Sequence, residues 1–485
     1  MAQYRREHDG LGERDVPASV YWGIHTLRAL ENFPITGQAL SSNGLLVRAL
    51  AAVKVAAART NRDLGLLDQA RAAAIEQACQ EIMEGQWHEQ FVVDVIQGGA
   101  GTSSNMNANE VIANRALEIL GHPKGEYTRL DPNDHVNLSQ STNDVYPTSV
   151  NVATIMAIRD LLDAMEQLRE AFAVKAVEFR DVVKMGRTQL QDAVPMTLGQ
   201  EFNTYAVTLA EDAQRLAEAS LLMHEINLGA TAIGTGLNAP PQYAAAACRH
   251  LSTLTGLPLV TALDLIEATQ DVGAFVHLSG VLKRVAVKLS KICNDLRLLS
   301  SGPRAGLAEI NLPPVQAGSS IMPGKINPVI PEVVNQVAYE VIGNDVTITM
   351  AAESGQLQLN AFEPIIVHSL TKSLQHLTAA CRTLETRCIR GITANAERLR
   401  ESVEHSIGLA TALNPHIGYA AASEIARAAQ RSGRGVAEIV LERGFLTSEE
   451  LRRLLEPERL ANLRVEPSPV SPDDQLAAST TDDRE

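Results

Sequence analysis

The sequence predicts an all-helical protein built on several very long helices, and three observations point that way. Aromatic residues make up only 4% of the chain while Ala, Leu, Val and Glu abound, which favours helices over sandwiches or barrels. Apolar residues recur every three to four positions at Ile155, Ile158, Leu162, Met165, Leu168 and Phe172. They do so again at Leu278, Leu282, Val285, Leu289, Ile292, Leu296 and Leu299. The first of these runs, taken as roughly thirty residues at about 1.5 Å each, spans about 45 Å. Finally, 485 residues exceed one typical core, so two or three domains are expected.

In chain order, Met1–Arg14 is charged, with no apolar core of a signal peptide, and RREHDGLGERDVPASVYWG reads as an irregular, partly exposed lead-in. Helical pattern follows across Gly44–Asn61 and Leu66–Glu84. Gly98, Gly99 and Gly101 then run into Thr102, Ser103 and Ser104, backed by a stripe of Val111, Ala113, Leu117 and Leu120. Glycines, hydroxyls and then a helix describe either an anion site at a helix N-terminus or an ordinary Ser/Thr cap. No Gly-Lys-Ser/Thr follows, which excludes a P-loop, and the dinucleotide fingerprint is absent.

A second polar cluster, SQSTND at Ser139–Asp144, precedes Pro147 and the first long helix. It holds more hydrogen-bonding side chains than one cap needs, which points to a ligand. A third knot, GRTQLQDAVP at Gly186–Pro195, lies between long helical runs. NLGATAIGTGLN at Asn227–Asn238 reads as a structural turn. The fourth knot is AGSSIMPGKINP, Ala317–Pro328, which gathers Ser319, Ser320, Lys325 and Asn327 with two glycines and two prolines. Those prolines and glycines keep it out of regular helix, so it reads as a loop on a rigid scaffold, suited to an anionic substrate. Helical pattern resumes near Pro331 and runs to about Cys388 with one break at Glu363-Pro364.

From Gly391 the elements shorten, and Thr447 with Glu450 forms a capping box for TSEELRRLL. The segment Glu466–Glu485 mixes Pro, Ser and Asp without an apolar period and reads as disordered. The expected domains are a mixed, helical 1–140, a central bundle 141–392, a small helical 393–465 and the tail 466–485. Helices this long expose apolar flanks that call for self-association.

Several functions are disfavoured. A net charge of −15 argues against a nucleic-acid partner, and no apolar run is long enough to cross a bilayer. The five cysteines (79, 248, 293, 381 and 388) are scattered and odd in number, as for reduced core thiols of a cytoplasmic protein. Twelve histidines are dispersed, no ligand set has metal spacing, and no Gly-X-Ser-X-Gly elbow occurs. The Ala-Ser-Gly tripeptide that some ammonia-lyases cyclise is also missing. A pyridoxal Schiff base on Lys325 stays open, although no alternating strand–helix pattern accompanies it.

Taken together, GSSIMPGKINP (Gly318–Pro328), TSSNMNANE (Thr102–Glu110), STND (Ser141–Asp144) and GRTQLQDAVP resemble, in order and spacing, the signature segments of the aspartase/fumarase superfamily. The resemblance covers the chain to about Leu460. Within the superfamily, GEYTRLDPNDHVNLSQSTND, NLGATAIGTGLN and KICNDLRLLSSGPRAGL are worded like the ammonia-lyases, and Gln189 stands where fumarases usually place His.

The resemblance implies an all-α homotetramer with a core of about twenty helices, about five per subunit, and active sites shared by three subunits. It implies reversible deamination of L-aspartate to fumarate and ammonia, with no required cofactor and no metal ligands. Class II fumarase chemistry is the alternative; a non-catalytic helical scaffold is a more distant one. By resemblance, Thr102, Ser141, Thr142 and Ser320 surround the β-carboxylate. Lys325, Asn327 and Thr188 hold the α-carboxylate, and Asn143 touches the amine. Ser319 is the base, and Lys325 supplies part of the charge that supports it. Gln189 lies beside the substrate without being an evident acid, so the general acid stays unassigned.

Overall fold

The computed structural model describes residues 3–456 and Arg459; the 466–485 tail lies outside the described residues. The chain opens with β1 (Tyr4–Asp9) and β2 (Gly12–Pro17), an antiparallel hairpin. Next come α1 (Ile24–Asn32), α2 (Gly44–Asp63), α3 (Gln69–Met83) and α4 (Thr102–Ile119). The helix α5 (Thr142–Glu178) is followed by the antiparallel hairpin β3 (Val183–Thr188) and β4 (Gln191–Thr197), and by α6 (Leu198–Ser220). Shorter α7 (Tyr243–Thr255) and α8 (Leu265–Gln270) lead to α9 (Gly273–Leu299), α10 (Val329–Glu353) and α11 (Glu363–Arg387). The chain then forms α12 (Ala396–His405), α13 (Leu409–Ile417), α14 (Tyr419–Ser432), α15 (Val436–Glu442) and α16 (Ser448–Leu454).

The chain divides into two compact units. The first takes residues 1–168, 208–295 and 329–386. Its helices start where the sequence supplies caps: the Asn43 side chain accepts from Leu46 N, and Asp68 accepts from Ala70 N and Arg71 N. Its core is the apolar stripe of each helix, including Leu50 and Val53 of α2, Ile75 and Ile82 of α3, and Val111 and Ile112 of α4. Leu282, Val285 and Leu289 of α9 and Leu370, Leu374 and Leu377 of α11 are buried in the same way. By contrast Val333, Tyr339, Val346 and Met350 leave an exposed apolar flank along α10, 43–65% accessible.

The second unit takes residues 169–207, 296–328 and 387 onward. Phe172, Phe179, Phe202 and Tyr205 cluster within it, three of their ring pairs edge to face and Phe172–Phe202 tilted. A separate small core joins Val403, Leu409, Leu413, Ile425, Val436 and Ile439 under the last helices. The Thr447–Glu450 capping box forms as expected, with both reciprocal bonds present.

Three local expectations are corrected. The charged lead-in is the β1–β2 hairpin, held by a bidentate Arg28–Asp9 pair at 2.7 and 2.8 Å. Arg5 adds a bond to Glu7 at 2.6 Å. Its stabilising side chains are ionic, so no apolar alternation announces it. The GRTQLQDAVP knot is the β3–β4 hairpin, turning at Gln189 and Leu190 with φ of 52° and 64°. Two left-handed residues there form the tight turn usually signalled by Asn-Gly. Glu363-Pro364 begins α11 rather than breaking a helix; the break lies at 354–362, and Pro in the first turn costs no hydrogen bond. All five cysteines are buried and none forms a disulfide, as expected.

Candidate active site

In the first unit two helix N-termini carry the expected residues. The helix α4 begins at Thr102 after Gly101, whose φ of 90° few other residues adopt. A Cβ on Gly101 would lie 2.4 Å from the Tyr146 ring, so this turn sits directly against the first turns of α5. Asn105, one turn into α4, donates to Thr142 Oγ1 at 3.0 Å and to Asn137 Oδ1 at 3.2 Å. Thr102 and Ser141–Asn143 are therefore brought together on neighbouring helix starts.

The donor and acceptor sense of each group follows from its partners. Thr102 Oγ1 donates to Gly99 O at 2.7 Å, leaving its lone pairs available. Ser141 Oγ accepts from Asn143 N at 3.3 Å. Asn143 Nδ2 donates to Ala232 O at 2.7 Å, which turns its amide oxygen away as an acceptor. Pro147 has no N–H for the Asn143 carbonyl one turn earlier, and Asn227 Nδ2 fills that gap at 3.0 Å. Asp144 is fully buried and accepts from Ser141 N, Gly229 N and Thr231 N at 2.9–3.0 Å. Burial pushes its carboxyl up to about 6 against those bonds and the charge of Lys54.

In the second unit the loop 317–328 closes on itself. Gly318 N donates to Lys325 O at 2.8 Å, and Asn327 Nδ2 donates to Gly318 O at 2.6 Å. An added Cβ on Gly318 would lie 2.4 Å from Lys325 O, so only glycine fits the clasp. Inside it, Ser319 Oγ accepts from Ile321 N at 3.2 Å and Met322 N at 3.0 Å. Two amides aimed at one hydroxyl oxygen stabilise negative charge there. Ser320 and Lys325 are exposed, while Ser319 and Asn327 are half-buried.

Thr188 and Gln189 sit exposed at the β3–β4 tip. Beneath it, buried Lys184 pairs with Glu201 at 2.6 Å and Glu309 at 2.7 Å, and Arg187 also pairs with Glu309. This ionic base fixes the hairpin that carries the tip. Among the described residues, no three His, Cys, Asp or Glu side chains are grouped to hold a metal.

The Lyase family matches residues 12–343, and the Fumarase C C-terminus family matches 409–462. The chain belongs to the aspartase/fumarase superfamily. It is 59% identical over 467 residues to an aspartate ammonia-lyase of Pseudomonas canavaninivorans, covering 96% of this chain and 98% of that one. Identity to the aspartate ammonia-lyase of Escherichia coli K12 is 57% over 448 residues, 92% and 94% of the two chains. A crystal structure of a fumarate lyase:delta crystallin from Brucella melitensis bound to cobalt superposes with TM-score 0.92 at 58% identity, covering 95% and 100%. A class II fumarase from Schistosoma mansoni gives TM-score 0.89 at 35% identity, covering 95% and 99%. The helical superfamily fold expected from the sequence is the one observed.

Sequence reading of this superfamily member missed the groups beneath Thr142. Lys54 is fully buried in α2 and donates to Asn137 Oδ1 at 3.0 Å and Gln140 Oε1 at 2.9 Å. Burial pushes its ammonium down to about 7, opposed by Asp144. The visible signal is a lone lysine in the apolar run ALAAVKVAAA, where a charge persists only with polar partners.

Proposed function

We propose that the chain catalyses reversible removal of ammonia from L-aspartate to give fumarate, as its closely similar relatives named aspartate ammonia-lyase do. The observation that carries this reading is near-full-length identity of 56–59% to several such relatives. The polar groups described above fit the demands of that reaction.

The Cβ proton of aspartate is a very weak acid. Removing it is feasible when the adjacent carboxylate takes up a second negative charge as an aci-carboxylate, stabilised by preorganised donors. We assign Ser319 as the base, its alkoxide held by the Ile321 and Met322 amides with help from the Lys325 charge. Ser141, Thr142 and Ser320 offer hydroxyl protons to the β-carboxylate. Lys325, Asn327 and Thr188 bind the α-carboxylate, with Gln189 beside them. Thr102, expected beside the β-carboxylate, spends its proton on Gly99 O and so, with Asn143, presents oxygen lone pairs, which suits the substrate ammonium and, after elimination, the leaving ammonia.

The reading includes a cytoplasmic homotetramer with each site shared by three subunits, and a reaction that needs no cofactor. Its support is the exposure of Thr102, Thr188, Gln189, Ser320 and Lys325 on the single chain, since this chemistry needs exclusion of water. The apolar flank of α10 is a surface for the partners. Among the described residues no helix is long and apolar enough to cross a membrane. The reading divides the chain into domains 1–140, 141–392 and 393–465, followed by the tail 466–485.

Ultraviolet absorbance of fumarate tests the reading. L-Aspartate is expected to yield it and L-malate to yield almost none. Malate dehydration at a comparable or faster rate would overturn the assignment in favour of a fumarase.

A further inference from the structure

We infer that Lys54, Asn137 and Asn105 form a relay of fixed hydrogen-bond polarity whose purpose is to make Thr142 a donor to the substrate carboxylate. The inference rests on the functional reading above and adds positioning residues to it.

Each link forces the next. In its protonated form Lys54 has no lone pair, so its contact at 3.0 Å makes Asn137 Oδ1 an acceptor. The other arm of that amide agrees, since Asn137 Nδ2 donates to Gln140 O at 3.2 Å. Asn137 Oδ1 can then meet only donors, so the Asn105 atom 3.2 Å away is its nitrogen. The same nitrogen stands 3.0 Å from Thr142 Oγ1, which must accept. An accepting hydroxyl keeps its own proton for another partner. No bond donated by Thr142 to a protein group is found among the described residues. The proton is left for a ligand at the mouth of α5.

The cost of this arrangement argues that it is maintained for use. Asn137 Oδ1 takes three donors, the third being Asn109 Nδ2 at 3.2 Å. Meanwhile Asn105 Oδ1 and Asn109 Oδ1 are buried with no protein donor. Turning the Asn105 amide over would set its oxygen against Asn137 Oδ1, so Lys54 holds the whole chain in one sense. The contrast with Thr102 is instructive. That hydroxyl donates to Gly99 O, so two threonines of the same site face the substrate with opposite polarity.

Asn105→Asp keeps the shape and reverses the last link, because a carboxylate accepts the Thr142 proton. The variant should lose kcat for fumarate formation by about 10²-fold, the usual cost of one preorganised donor, with KM changing far less. Thr142→Val should lose a similar factor. In a double-mutant cycle the losses should not multiply: Asn105→Asp in the Thr142→Val background should cost less than about threefold.

Lys54→Met removes a buried charge at nearly constant volume and tests the head of the relay if the aspartate variant does not fold. It should lower kcat about tenfold in the wild-type background and hardly at all beside Thr142→Val. Losses that multiply, or a Thr142→Val enzyme of normal kcat, would overturn the relay while leaving the functional reading intact. A wild-type chain that releases no fumarate from L-aspartate sinks both.

Discussion

Gly101→Ala is a small change whose consequence can be worked out from distances. An added Cβ would stand 2.4, 2.5 and 2.7 Å from Tyr146 Cγ, Cδ1 and Cδ2. Carbon atoms pack at about 3.5 Å or more, so the ring would have to retreat about 1 Å. Tyr146 is 2% exposed and packed within α5, so the ring and the start of that helix would move together. Overpacking of this kind costs about 1–3 kcal/mol. A side chain at φ 90° adds about 1–2 kcal/mol, for a total of about 2–5 kcal/mol. Gly121, just past the other end of α4, supplies the control: its φ is 82° and an added Cβ meets nothing within 4 Å. Gly121→Ala therefore carries the strain without the clash. Thr102 adjoins Gly101, and a misplacement of about 1 Å at a catalytic group can cost about 10²-fold in rate. Fumarate absorbance and thermal melts on both variants should show kcat lost, and the larger stability loss, only in Gly101→Ala. A Gly101→Ala enzyme within about threefold of wild-type kcat would refute the claim that this contact sets the Thr102 position.

Three further outcomes are expected. Ser319→Ala should lower kcat by about 10²–10⁴-fold with little change in melting temperature, since the residue sits in a loop; retention of a tenth of the activity would remove it as the base. Thr102→Ala and Ser319→Ala, each inactive, should partly repair one another when unfolded, mixed in equal amounts and refolded, recovering roughly a quarter of the sites if the two residues come from different chains. Recovery of nothing, with hybrid tetramers demonstrated, would rule out a shared site. Burial raises the Glu363 carboxyl to about 8, so between its ordinary 4.5 and 8 the folded state binds more protons than the unfolded one. Stability from this group thus falls as pH rises through that window. Melting of Glu363→Gln and wild type should be closest near pH 5 and furthest apart at pH 8, with the variant the more stable; parallel curves would contradict the assignment.

The helices were legible because burial of one face forces a period, and Ile155 through Phe172 or Leu278 through Leu299 display it over many turns. The hairpins were not, because each is held by something other than apolar alternation. The first rests on Arg–Asp and Arg–Glu pairs, and the second on the buried Lys184–Glu309 cluster. The residues proposed to meet the substrate were nameable because hydroxyls, an ammonium and amides crowd short loops. What stands behind them was not nameable. Nothing in one sequence shows that Lys54, Asn137 and Asn105, separated by tens of residues, are linked in a chain of hydrogen bonds that ends at one hydroxyl. That meeting is created by the packing of α2 and α4 with the turn before α5.

Two of the polar knots lie at helix starts for an electrostatic reason that joins these observations. The reaction creates a second negative charge on a carboxylate, so a useful site offers more positive potential to the intermediate than to the substrate. A helix N-terminus carries roughly half a positive charge and several amides without partners. Thr102 opens α4 and Thr142 opens α5, and the Asn105–Thr142 bond brings those two starts into register. The polarity of their side chains is assigned in advance: Thr142 gives its proton, while Thr102 and Asn143 offer lone pairs. A β-carboxylate and an ammonium on adjacent carbons would thus meet donors on one side and acceptors on the other. Making Thr142 an acceptor toward the substrate would require turning over the Asn105 and Asn137 amides back to Lys54. Substrate orientation is, on the proposed relay, stored in the buried network, and the half-buried Thr142 hydroxyl expresses it.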